Sequence, residues 1–351
     1  MPNSSPNAFD ERFTEGFSVP GSVYIYAPNK IAPVFFAAAF AASGLVHLWQ
    51  CYHYKCFRWT SYHWMCCTFF VAGFGCREYG AFNYDNLPVY IASQCFIYFS
   101  PPILELANYH VLGHVLFYGP YFAPFHPGRI LSTFGFVSFI VEITNAIGVS
   151  YSINTALPKN LIDLGHTMMK VSLILQIVVI TLFVLLAAMT HRRSLKDRFE
   201  IRSVEGPLLT LYVSTAIILV RTIYRAVEHF AFESTPAGLD FDAQDLSPML
   251  RYEWFFYVFE ASLMLVNEVW WNLRHPRRYL PEDFRVYLAQ DGVTEVQGPG
   301  WDDGRNWIVT FLDPFGWVLK NNESKEGKQK KFWESDGHEA VELVSSPQRS
   351  V

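Results

Sequence analysis

Seven stretches of this chain are each long and apolar enough to cross a bilayer, and that repetition restricts the fold more than any single residue does. They run from Ile31 to Tyr52, Thr60 to Phe82, Leu87 to Leu116, Arg129 to Tyr151, Asp163 to Thr190, Pro207 to Phe232 and Leu250 to Leu273. A helix needs about 20 mostly apolar residues to span the hydrocarbon core, where only helices and closed barrels satisfy their own backbone groups. The pattern predicts an all-α, polytopic membrane protein built as a seven-transmembrane-helix bundle. Short gaps make residues 31–276 one domain, between an N-terminal tail (1–30) and a polar C-terminal tail (277–351). A net charge of −5 offers no basic surface for nucleic acid, so that partner is not expected.

Lys and Arg set the orientation. Loops one, three and five hold Lys55, Arg58, Arg129, Arg192, Arg193, Lys196, Arg198 and Arg202, and Arg274, Arg277, Arg278 and Arg285 open the tail, whereas Asp240, Asp242 and Asp245 lie in the sixth loop. This predicts an extracellular N-terminus and a cytosolic C-terminus. The first thirty residues lack the apolar core of a cleavable signal, so the first span is expected to act as the targeting signal. Asn3-Ser4-Ser5 is a glycosylation sequon compatible with this orientation. Beyond Pro281 the tail turns polar and Gly-rich and is expected to be largely disordered. Within it, Asn306 to Val318 with the following Lys320, Lys325, Lys328, Lys330 and Lys331 reads as a solvated charge run or as an interfacial anchor. The six cysteines all fall between Cys51 and Cys95 without a CxxC pair, as buried small residues do, with Cys51 and Cys56 placed where palmitoylation is possible. Pro101-Pro102 is expected to kink the third span.

Charges inside the spans are the exception to this apolar pattern. The sixth carries Arg221, Arg225 and Glu228 at i, i+4 and i+7, one helical stripe. An unpaired charge at the bilayer centre costs roughly 2.5–3.5 kcal/mol on insertion scales, so the stripe must face protein or water. With the orientation above, Arg77, Glu78, Glu142, Lys170, Glu253 and Glu260 come to a similar depth in the outer half. These nine residues are close to charge balance and predict a polar, ligand-binding cavity. Buried pairs that merely set helix register are the competing reading, although such pairs seldom beat apolar packing on stability. Glu105 and Glu268 fall deeper and are expected to snorkel or to find a hydroxyl or His partner.

His110 and His114 sit at i, i+4, with His47 at comparable depth. That spacing suits a metal, but no acidic motif completes it, and the histidines read as polar interfacial groups with no metal or other cofactor expected. GxSxG, HExxH and phosphate-binding glycine loops are missing, which excludes ATP-driven transport by this chain alone.

The run from Leu219 to Glu228, an R-x-x-x-R-x-x-E span, resembles the fungal lipid-translocating exporter family, the RTA-like proteins that include sphingoid-base and aminocholesterol resistance proteins. Glu253, Tyr257-Val258-Phe259-Glu260, Asn272 to His275-Pro276, Glu78-Tyr79-Gly80, Ser100-Pro101-Pro102, Tyr109 with Gly113, and Gln176 fit the same pattern, which covers Ile31 to Pro276. Departures from it are Glu260 for a usual Asp, Glu142 for a usual Gln, Gly135 for an Asp, His114 at an often basic position, and Lys170 as an extra charge.

The resemblance implies a plasma-membrane protein, not an enzyme, that moves an amphipathic lipid or lipid-like metabolite and confers resistance to toxic amphiphiles. Its partners would be membrane lipids. A seven-helix lipid sensor is the alternative, and a zinc-dependent lipid hydrolase a further one. An ammonium headgroup would favour the carboxylates and an anionic one the arginines.

Overall fold

A computed structural model describes residues 28–83, 85–121, 123, 127–153, 157–196, 202–233, 248–283, 285–289 and 294–298. The sequon at Asn3, the acidic residues Asp240, Asp242 and Asp245, and the segment Asn306 to Val318 with its lysines lie outside the described residues.

Six long helices follow one another: α1 (Ala32–His53), α2 (Phe57–Gly80), α3 (Leu87–Tyr118), α4 (Pro127–Ile153), α5 (Lys159–Lys196) and α6 (Arg202–Glu233). The seventh rod is composite. After a single turn, α7 (Pro248–Arg251), it runs through α8 (Trp254–Phe256), a π-helical stretch (Tyr257–Ser262) and α9 (Leu263–Leu273). Helices α1, α3, α4, α5 and α6 are each long and apolar enough to cross a membrane. α2 has the length but carries Arg77 and Glu78 near its end, and the seventh rod is interrupted. Together they make the expected seven-helix membrane fold.

Burial separates a protein face from a lipid face on each helix. Along α5, Val171, Ile174, Val178, Leu182, Leu185 and Met189 are exposed at three- and four-residue steps, while Ser172, Gln176 and Thr190 point inward. This inverts the soluble pattern, because lipid solvates leucine and valine as well as a protein core does and leaves polar groups to the interior.

α3 is the central helix. From Leu104 to Tyr118 nearly every residue is buried, and it packs against α2, α4 and α6. It runs unbroken through Pro101 and Pro102, because a bilayer offers the chain no partner outside its own helix ladder. Its start is capped by Asn86, whose side chain accepts from Val89 N at 3.3 Å. α4 and α5 cross where Gly148 faces Gly165: a Cβ on Gly165 would stand 2.8 Å from the Gly148 carbonyl oxygen. Only the absence of a side chain permits that approach. Between α1, α2 and the seventh rod, Phe40 stacks on Phe70 at 4.3 Å and Phe36 on Tyr257 at 5.4 Å, offset rings that add to simple packing.

The start of the tail departs from the expected disorder. Pro276–Arg278 forms a 3-10 turn, and Val286–Leu288 (β1) pairs antiparallel with Glu295–Gln297 (β2). Val286, Tyr287 and Leu288 are buried and Tyr118 donates from its hydroxyl to Glu295 at 3.0 Å, so the hairpin closes the C-terminal end of α3. Cys51 and Cys56 are both buried.

Candidate functional site

The nine charges sort into distinct groups. Arg221 on α6 meets Glu260 on the π-helical stretch in a two-pronged pair, with Nε 2.9 Å from both carboxylate oxygens and Nη2 2.6 Å from Oε1. Glu260 is 0% exposed and Arg221 5%. The widened π turn is what presents Glu260 to α6; such turns recur at functional sites. Arg225 pairs within its own helix with Glu228, which also accepts from the Tyr224 hydroxyl at 3.3 Å. The Arg225 guanidinium lies 4.1 Å from the centre of the Tyr98 ring, a cation–π contact that helps hold it away from lipid.

Arg221, Arg225 and Glu142 are the members of the nine that line a common cavity, between α3, α4, α5 and α6, together with Tyr98, Asn145 and Gln176. Its volume is about 30 Å³, room for roughly one water-sized group. Glu142 forms no ion pair or hydrogen bond among the described residues. Below it, Glu105 accepts from Gln176 Nε2 at 2.9 Å and from the Tyr109 hydroxyl at 3.1 Å. Glu105 is thus buried and satisfied by neutral donors instead of reaching for the interface.

The other members lie elsewhere, so one cavity shared by all nine is not what the fold builds. Arg77 donates to Glu253 at 2.6 Å in a pair near the C-terminal end of α2. The Glu253 carboxylate also accepts from the backbone of Asn29 at 2.7 Å, tying the lead into α1 to the seventh rod. Glu78 sits near the end of α2, where Lys30 is the opposite charge acting on it. Lys170 lies over the Phe230 ring at 5.8 Å. Helices rotate about their axes to bury whichever face packs best, so equal depth does not guarantee a shared lining.

Glu268 finds the histidine partners expected of a deep carboxylate, but His47 joins His63 there and not His110 and His114. His63 and His229 had no local signal. Asn145 shows in the sequence only as a polar residue in an apolar span, whereas Gln176 belongs to the pattern of the family resemblance. A second, larger concavity of about 390 Å³ opens among His191, Glu205, Leu209, Arg274 and Tyr279, where α5 ends and α6 begins.

Seven helices with lipid-facing aliphatic stripes and ion pairs sealed inside define a polytopic helical membrane protein. The family described as RTA1 like protein matches residues 63–283, and the chain belongs to that family. The lipid-translocating exporter-like protein RTA1 of Leptosphaeria maculans is 45% identical over 300 residues, 82% of this chain and 57% of that protein. A protein of the same name from Ajellomyces capsulatus is 27% identical over 245 residues, 66% of this chain and 72% of that protein. The chain therefore spans little more than half the length of the first of these relatives. No solved structure matches it.

Proposed function

We propose that the protein moves an amphipathic amine across the plasma membrane, with Glu142 taking the ammonium group and the buried arginines holding the site open to it. The observation that carries this reading is the unpartnered Glu142 carboxylate in a cavity whose two guanidinium groups are already matched by Glu260 and Glu228. Arg221 and Arg225 against Glu260, Glu228 and Glu142 leave one negative charge, which a cationic headgroup neutralises and an anionic one does not. The names of the two relatives, which describe lipid-translocating exporter-like proteins, support movement of a lipid over a chemical transformation.

A proton and an ammonium group compete for one carboxylate, so loading by an amine releases a proton from Glu142 wherever the site is protonated. The cavity is too small for a headgroup as it stands, and entry requires α4 or α5 to move aside from α6. The larger cytosolic concavity borders Gly206, and Arg221 lies fifteen residues on along α6, about 22 Å away by helical rise. It offers a loading position for an amphiphile arriving from the inner leaflet.

The test is reconstitution of the purified chain in vesicles, with labelled sphingoid base, sterol amine and an anionic single-chain lipid, each with and without a proton gradient. Faster movement of the amines, lost in Glu142→Gln, is expected. Movement of the anionic lipid alone would overturn the charge assignment. Binding without movement would favour a lipid sensor, and neither binding nor movement would sink the reading.

A further inference from the structure

His47 on α1, His63 on α2 and Glu268 on α9 converge at a point that belongs neither to the cavity nor to the Arg77–Glu253 pair. His47 Nε2 lies 3.0 Å and His63 Nδ1 3.3 Å from the same oxygen, Glu268 Oε2. The donor atoms of all three residues fall within 4.8 Å of one another, and the side chains are 2%, 1% and 0% exposed. Donors about 3.3 Å apart are what a tetrahedral ion about 2.0–2.1 Å from each nitrogen or oxygen requires.

A carboxylate inside a membrane protein needs a compensating charge. The groups acting on Glu268 are the two imidazoles, with no Arg or Lys among them. Its second oxygen, Oε1, is buried without a hydrogen-bond partner, and so is Nε2 of His63. Buried polar atoms are seldom left this way. Cys66, one turn along α2 from His63, is fully buried and its thiol donates to the Ser100 carbonyl at 3.3 Å, so it stands outside the cluster.

We propose that His47, His63 and Glu268 form a buried site for one zinc-type divalent transition metal ion, which ties α1, α2 and α9 together. Binding takes both imidazoles as neutral donors, through His47 Nε2 and His63 Nδ1, and a proton carried on either nitrogen moves to the ring's other nitrogen or to solvent. The dication supplies the positive charge that the buried Glu268 carboxylate otherwise lacks. Imidazole donors select zinc over magnesium or calcium. Three protein ligands leave the fourth position to water.

The experiment uses purified full-length protein in detergent, with elemental analysis, and cobalt titration after chelator treatment. One zinc ion per chain is expected, as is saturable cobalt uptake with a visible ligand-field absorption. Glu268→Gln and His63→Ala lose the ion, and Cys66→Ser and Glu142→Gln keep it. Wild-type protein that neither retains a metal nor takes up zinc or cobalt saturably overturns the proposal. That outcome is read on the wild-type chain, independently of any variant's folding and of transport.

Discussion

Arg221 and Glu260 hold each other across α6 and the seventh rod through three nitrogen–oxygen contacts of 2.6–2.9 Å, with neither side chain reaching solvent or lipid. The pair joins the cavity wall to the one π-helical stretch among the described residues. A π turn is an intrinsically weaker helix, and a charge-assisted double contact is what stabilises it here.

Removing one partner of such a pair strands the other. Glu260→Ala is expected to cost about 3–5 kcal/mol by leaving the Arg221 charge buried and unmatched. Arg221→Met combined with Glu260→Leu is expected to melt above the single variant, since apolar replacement removes both charges at once. Thermal melting in detergent checks the order, and a double variant less stable than Glu260→Ala would contradict it.

Glu142 gives the opposite pattern. It has no partner to lose, so Glu142→Gln is expected to leave stability within about 0.5 kcal/mol of wild type while abolishing amine movement. Melting and vesicle assays on the same preparation separate the two, and a Gln variant that transports at the wild-type rate would remove Glu142 from the site.

The α4–α5 crossing tolerates no side chain. At Gly165 a Cβ meets the Gly148 carbonyl oxygen at 2.8 Å and Ser152 N at 2.9 Å, both rigid backbone. Gly165→Val is expected to destabilise by roughly 1–3 kcal/mol as the helices part, and to displace Met169 from the cavity wall. Size-exclusion yield and melting temperature report this; an unchanged melt would show that the two helices can separate freely.

His275, beyond the seventh span, supplies a pH dependence. Burial holds its imidazole below the usual histidine range, and Nδ1 accepts from the backbone of Arg277 at 3.2 Å, which requires that nitrogen unprotonated. The folded state therefore binds this proton less readily than the unfolded state. Its contribution to stability is fully present above the unfolded value, about 6.5, and declines as pH falls below it toward the depressed folded value. Melting curves from pH 7.5 to 5.5 should fall more steeply for wild type than for His275→Gln, and parallel slopes would refute the assignment.

Much of this was readable along the chain. Arg225 and Glu228 are three residues apart on one helix, and so are a local property of the sequence, as is the inward face of α5 marked by Ser172, Gln176 and Thr190. Depth could be inferred from span boundaries, and it did bring Arg77 to Glu253 and Arg221 to Glu260. It could not say which carboxylate each arginine would take, because that depends on helix rotation and neighbour order. The ordered hairpin after Pro281 was hidden by a polar composition that resembles disorder until Leu288 and Tyr287 are seen buried under α3.

Apolar period, charge asymmetry and span length determine that this chain crosses a membrane as seven helices, because the bilayer punishes every other solution. Tertiary structure alone decided that Glu142 stands unpartnered while Glu105 does not, and that His47 meets His63 and Glu268 instead of His110. Those outcomes depend on side chains from helices far apart in sequence, whose mutual rotation is set by packing at contacts such as Gly148 with Gly165.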